Sequence, residues 1–148
     1  MKRFTFLSFF FLLFLAQSLL AYTVKDIKII IKDECKLQSM EGYEMWTWGI
    51  VETESNCRVI ISRYEPSMKD FSIGLMGMTL ITAKKECAYT GGWLDLYQPE
   101  INIMEGVKYL KILRQRYHGN ILKIIQGYHG GHSLNYFIRV ARYAMKWK

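Results

Sequence analysis

The stretch from Pro99 to Tyr117 constrains this chain more than any other. Ile103, Val107, Leu110, Leu113 and Tyr117 recur there at the spacing of one helical face, and Pro99 sits where a helix's first turn tolerates a missing N–H. The pattern predicts the longest helix of the chain, and a single apolar stripe of that length needs other elements laid along it. The lysines and arginines between 108 and 116 read as its wet face. A break at His118-Gly119-Asn120 leads to a short helix, Ile121 to Tyr128, with Ile121, Ile124 and Ile125 inward. The turn His129-Gly130-Gly131 ends it, and Ser133 caps a final helix carrying Leu134, Phe137, Ile138, Ala141 and Met145.

Upstream, the reading is less regular. Tyr22 to Lys32 supports two periods: Ile27, Ile29 and Ile31 alternate as in a strand, whereas Ile27, Ile30 and Ile31 share a helical face. The expectation is an extended N-terminal segment, 22–42, packing on a domain of residues 43–148, with a polar loop over Asp33 to Gly42. A first firm helix follows, about Tyr43 to Ser55, with Trp46, Gly49, Ile50 and Thr53 on one buried stripe. Cys57 to Ile73 contains Pro66 and no sustained period, so it reads as a loop long enough to have a task. A short helix from about Thr79 to Ala88 and a loop from Tyr89 to Gln98 complete the chain. The fold class is mostly α.

The N-terminus is set apart. Met1-Lys2-Arg3 is basic, Phe4 to Leu20 is nearly all apolar, and Ala16-Gln17-Ser18 and Ala21 offer cleavage points. Residues 1–21 are expected to be a secretory signal, the alternative being an uncleaved membrane anchor. Lys2 and Arg3 are the only charged residues in that stretch. Of the 20 Lys and Arg, 18 therefore remain against 13 Asp and Glu, a formal charge of +5. That balance suits an anionic polymer or a membrane surface. Export and the lack of any nucleic-acid recognition motif argue against nucleic acid. Cys35, Cys57 and Cys87 follow the signal, and none sits at metal-ligand spacing, so neither metal nor cofactor is expected. Cys57 with Cys87 is the favoured disulfide. The other pairings and three free thiols stay open.

One carboxylate stands out chemically. Glu54 arrives at the end of the apolar helix, and Ser55 and Asn56 behind it favour a helix end. A carboxyl beside apolar surface is poorly hydrated when charged, so its pKa rises and it can hold a proton near neutrality. That is the property an acid catalyst of glycosidic cleavage needs. Glu52, two residues away, belongs on another face and reads as solvated. His118 and His132, beside glycines, read as exposed turn residues.

Five stretches taken together resemble one family. Glu54-Ser55 after an apolar helix resembles the catalytic pair of the SLT-type lytic transglycosylases, which share the lysozyme-like fold. Arg63-Tyr64-Glu65-Pro66 resembles a segment that follows that glutamate in one branch. Ser72 to Gly77, SIGLMG, is similar to the family's Gly-Leu-Met-Gln stretch, with Thr82-Ala83 downstream. Pro99 to Leu110, PEINIMEGVKYL, is similar to its pattern of Pro, Asn-Ile, Gly and Tyr-Leu, and Gly127 to Gly131, GYHGG, resembles its Ala-Tyr-Asn-Ala-Gly turn.

The resemblance implies an exported peptidoglycan lytic transglycosylase of the periplasm or cell envelope, acting on glycan strands. Glu54 would be its catalyst, with Ser72, Gly74, Met76, Tyr128 and His129 along the substrate groove. Tyr128 is expected to hydrogen-bond near Glu54 or the substrate. Glu65 is expected to buttress its loop by pairing with Arg58 or Arg63, the alternative being a second carboxylate that works with Glu54 as an inverting partner. Two departures stand out: Gly77 replaces the usual Gln, removing an amide able to bind sugar, and His129 replaces the usual Asn. The alternatives are a muramidase of the same fold and a catalytically weakened wall-binding or assembly protein. Membrane tethering depends on the signal, and no residue names a secretion-machine partner.

Overall fold

A computed structural model describes residues 22–148, and the expected signal, 1–21, lies outside the described residues. Six α-helices and one small sheet are present among them: α1 (Val24–Leu37), α2 (Glu44–Ser55), β1 (Ser62–Glu65), β2 (Asp70–Ile73), β3 (Met78–Thr79), α3 (Leu80–Cys87), α4 (Pro99–Arg116), α5 (Ile121–Tyr128) and α6 (Leu134–Ala144). A single 3₁₀ turn, Asp95–Tyr97, precedes α4.

The N-terminal segment is largely a helix, not the extended segment expected. Thr23 and Asp26 form a reciprocal capping box that starts α1 and satisfies two of its free N–H groups. Ile27, Ile31 and Cys35 then fall one turn apart and are fully buried, while Ile29 is left on the outside. The helical period prevailed because burying that row joins α1 to the core, which an alternating strand cannot do with Ile29 exposed. The helix also consumes the first half of the loop expected over Asp33 to Gly42.

Helix α2 runs through the middle of the molecule. Thr47, Trp48, Gly49, Ile50 and Val51 are all buried, so the helix is covered on more than the single stripe expected. Gly49 lets α6 come against its backbone: a Cβ there would collide with the carbonyl of Val140. Trp46 stacks on Phe137, with ring centroids 6.0 Å apart. Asn56, at φ +50°, adopts the left-handed conformation that ends the helix.

The expected loop from Cys57 to Ile73 is mostly a hairpin. β1 and β2 pair antiparallel with Arg63 opposite Ser72 and Tyr64 opposite Phe71, and β3 adds to β2 through Ser72 and Thr79. Pro66 sits in the connecting turn, where it costs no ladder hydrogen bond. Alternation sends Arg63, Glu65 and Ser72 to the cleft side and leaves Tyr64 and Phe71 as an exposed pair on the reverse face. Four-residue strands offer too few repeats for that period to stand out.

α4 matches the expectation: Ile103, Val107, Leu110 and Leu113 are fully buried, along with Asn102, Glu105 and Gly106. Its wet face is less plain than expected, because Lys108 pairs with the buried Glu105 and Lys111 donates to the carbonyl of Gln38. α5 buries Ile124 and Ile125 as expected. Ser133 does cap α6, its hydroxyl accepting from Tyr136 N at 3.1 Å. The buried row, however, is Tyr136, Val140 and Ala144. The expected stripe is only partly inside: Phe137 and Ala141 are half-buried, with Phe137 packed on the core, whereas Leu134, Ile138 and Met145 are 57%, 45% and 74% exposed.

Candidate active site

Glu54 occupies the last turn of α2, and its side chain is only 10% exposed. Loss of hydration there raises its pKa above the ordinary 4.5, although a hydrogen bond from Tyr136 and the nearby charge of Arg63 both act to lower it. The two carboxyl oxygens have different surroundings. Oε1 accepts from the Tyr136 hydroxyl at 2.6 Å. Oε2 faces the backbone of Gly77, where an added Cβ would stand 3.0 Å away, and lies 3.6 Å from Arg63 Nη2. Oε1 is thus occupied by a hydrogen-bond donor, whereas Oε2 has only the more distant guanidinium.

The carboxyl opens on a cleft of about 260 Å³ between the sheet and the α5–α6 turn. Arg63, Glu65, Ser72, Gly77, Thr79, Tyr109, Tyr128 and His129 are among its walls. Arg63 joins the two acids of the cleft: its Nε donates to Glu65 Oε1 at 2.8 Å while its Nη2 approaches Glu54. Ser72 Oγ donates to the same Glu65 oxygen at 3.1 Å. Glu65 therefore pairs with Arg63, one of the two partners expected.

Two expected groove residues have other places, and a third lines the cleft with a different hydrogen-bond partner. Met76 is fully buried beneath Gly106 and contributes no wall of the cleft. Gly74, at φ +71°, is buried against Leu96 and Asn102, where any side chain would collide. Tyr128 lines the cleft, but its hydroxyl donates to the carbonyl of Met76 at 2.9 Å and not to Glu54. Burial pushes that phenol well above its usual pKa, which keeps it a neutral donor. Ser72 and His129 do reach the cleft. The imidazole of His129 lies flat on Tyr136, with centroids 4.2 Å apart and the planes within 8°.

All three cysteines are free, so the Cys57–Cys87 bridge is not formed. Burial pushes the Cys35, Cys57 and Cys87 thiols up to about 12, far from reactive thiolates. His118 and His132 are exposed, as expected.

Sequence reasoning missed Tyr136 and Asn102. Tyr136 shares a row with Val140 and Ala144, and that spacing of four was legible beside the more apolar row that was preferred. Asn102 is fully buried: its Oδ1 accepts from Met76 N at 2.7 Å, and its Nδ2 donates to the carbonyls of Ile73 and Leu96 at 2.8 and 2.7 Å. One side chain thereby pins the turn that carries Gly77 under Glu54. Asn102 is the Asn of the family-like Asn-Ile pair, but the sequence assigned it no role.

Comparison with curated proteins and with solved structures gave no match. The model of the transglycosylase SLT domain matches residues 30–143, from within α1 to the end of α6, and so takes in Glu54, Arg63, the Gly74–Gly77 turn, Asn102 and Tyr136. That match spans more than half of the chain, and the mostly helical architecture agrees with it; the protein belongs to the SLT transglycosylase family, with a lysozyme-like fold.

Proposed function

We propose that this chain is an exported lytic transglycosylase that cuts the MurNAc–GlcNAc β-1,4 bond of peptidoglycan with Glu54 as its acid and then its base. The observation that carries the reading is the state of Glu54: a nearly buried carboxyl of raised pKa on the wall of the cleft, held through Oε1 by Tyr136, with Oε2 beside Gly77 and Arg63. Family membership supplies transglycosylase chemistry on peptidoglycan.

In the first step Oε2–H protonates the bridging oxygen as the bond from MurNAc C1 breaks. The substrate's own acetamide supports the positive charge left on that sugar. The new carboxylate then takes the proton from the C6 hydroxyl of the same MurNAc, whose oxygen closes on C1 to form the 1,6-anhydro ring. An attacking group within the same sugar competes well with water because its encounter needs no further loss of freedom. Glu65 is engaged by Arg63 and Ser72, which suits a supporting carboxylate better than a water-activating one.

Mass analysis of soluble products from purified murein tests this, with Glu54→Gln alongside. Anhydro-MurNAc ends from the wild type alone support the proposal. Reducing ends would make the protein a muramidase. Retention on murein without release would make it a wall-binding protein of the same family.

A further inference from the structure

The charges of this chain are unevenly distributed. Its last acidic residue is Glu105; residues 106–148 contain nine Lys and Arg and no Asp or Glu. The outer face of α6 lies in that basic part. Leu134, Ile138 and Met145 form a row along it at 57%, 45% and 74% exposure, and Arg142 and Lys146 stand exposed beside them. The opposite face of α6 is spent on the core, through Tyr136, Val140 and Ala144. A surface helix with apolar residues in a row and cations at its flank is built for an interface that is oily beneath and negatively charged on top.

We propose that the outer face of α6 and the C-terminal tail form a docking surface for an anionic lipid membrane. Two observations select a lipid surface as the occupant. The cations are interleaved with large apolar side chains, which a phosphate- or carboxylate-bearing polymer would leave in water, whereas a bilayer takes them below its headgroups. Helix α1, the first element of the described residues, also meets the C-terminal tail here. Tyr22 follows the apolar run Phe4 to Leu20 closely in sequence, and from α1 Lys28 reaches the carbonyl of Lys148 at 3.4 Å and sits over the rings of Trp48 and Trp147. No helix among the described residues is long and apolar enough to cross a membrane, so the contact is peripheral. It is independent of the chemistry at Glu54.

The test uses the full chain reconstituted in vesicles of phosphatidylcholine alone or mixed with phosphatidylglycerol. Hydrogen exchange is followed in the peptides covering residues 134–148. Phosphatidylcholine vesicles are the reference for any contact that does not need negative charge, so the comparison reads the anionic contact of α6. Exchange there should slow on the anionic vesicles only, and high salt should abolish the slowing. Arg142→Glu and Lys146→Glu should each weaken the protection, by roughly fivefold for each positive charge removed. Ile138→Asn with Met145→Asn should remove it. Equal exchange on both vesicles overturns the proposal. Slowing that survives loss of Ile138 and Met145 also overturns it, in favour of an anionic polymer. Slowing that appears without vesicles and grows with protein concentration overturns it in favour of a second copy of the chain.

Discussion

The hydroxyl of Tyr136 lies 2.6 Å from Oε1 of Glu54, joining α6 to the last turn of α2 behind the cleft wall. A donor at that oxygen favours the carboxylate, while burial favours the acid, and burial is the larger influence. The carboxyl is therefore poised to give up a proton and, once charged, is not left without a partner.

Removing the hydroxyl should separate these effects. In Tyr136→Phe the Glu54 pKa should rise further, so the basic limb of the kcat/KM profile should move to higher pH. kcat should fall about tenfold, the worth of one charge-assisted hydrogen bond. A pH–rate series on solubilised glycan strands reads both, and a limb that stays or moves down would contradict the assignment.

Stability should carry the same signature. Below the ordinary value of 4.5 the carboxyl is protonated both folded and unfolded, so it makes no difference. As the pH rises toward the raised folded pKa, the unfolded chain releases the proton first and the native state loses stability. Glu54→Gln, which cannot ionise, should therefore melt at a higher temperature than the wild type near neutrality and no higher in acid. Calorimetry between about pH 4 and about pH 8 checks the sign; parallel curves would mean that burial does not burden this group.

Gly77 is constrained twice, by a φ of +60° and by Glu54 Oε2 lying 3.0 Å from the position of an added Cβ. Gly77→Ala should cost about 1–2 kcal/mol for the left-handed backbone alone and also displace the carboxyl. Gly42, at φ +87° with open space around it, is the control. Both alanine variants should lose stability, and only the one at 77 should lose kcat; equal activity of the two would show that Gly77 does not position Glu54.

Asn102→Ala should strip three buried backbone groups of their partner, at a cost of roughly 3 kcal/mol or more. Urea unfolding measures the loss, and hydrogen exchange at the Met76 amide should accelerate in the native state. A midpoint unchanged from the wild type would mean that the Gly74–Gly77 turn holds itself.

Most helices were legible because their signals are local. Pro99 at a first turn, the stripe from Ile103 to Leu113, the break at His118-Gly119-Asn120 and the cap at Ser133 each depend on residues within a turn or two of one another. Glu54 was legible for the same reason, as a carboxyl closing an apolar helix. Where two periods competed, sequence could not decide. In α1 the strand-like isoleucines and the helical row overlap, and in α6 the more apolar row is the one left outside.

What only the tertiary structure decided is which distant residues surround that carboxyl. Tyr136 is 82 positions from Glu54, and it reaches Oε1 because Gly49 lets α6 lie close against α2. Gly77 comes under Oε2 because Asn102, on another helix, holds the turn in place. Periodicity reports which side of an element is buried, not what it is buried against; that depends on packing between elements far apart in the chain, and the electrostatics of Glu54 depend on the packing.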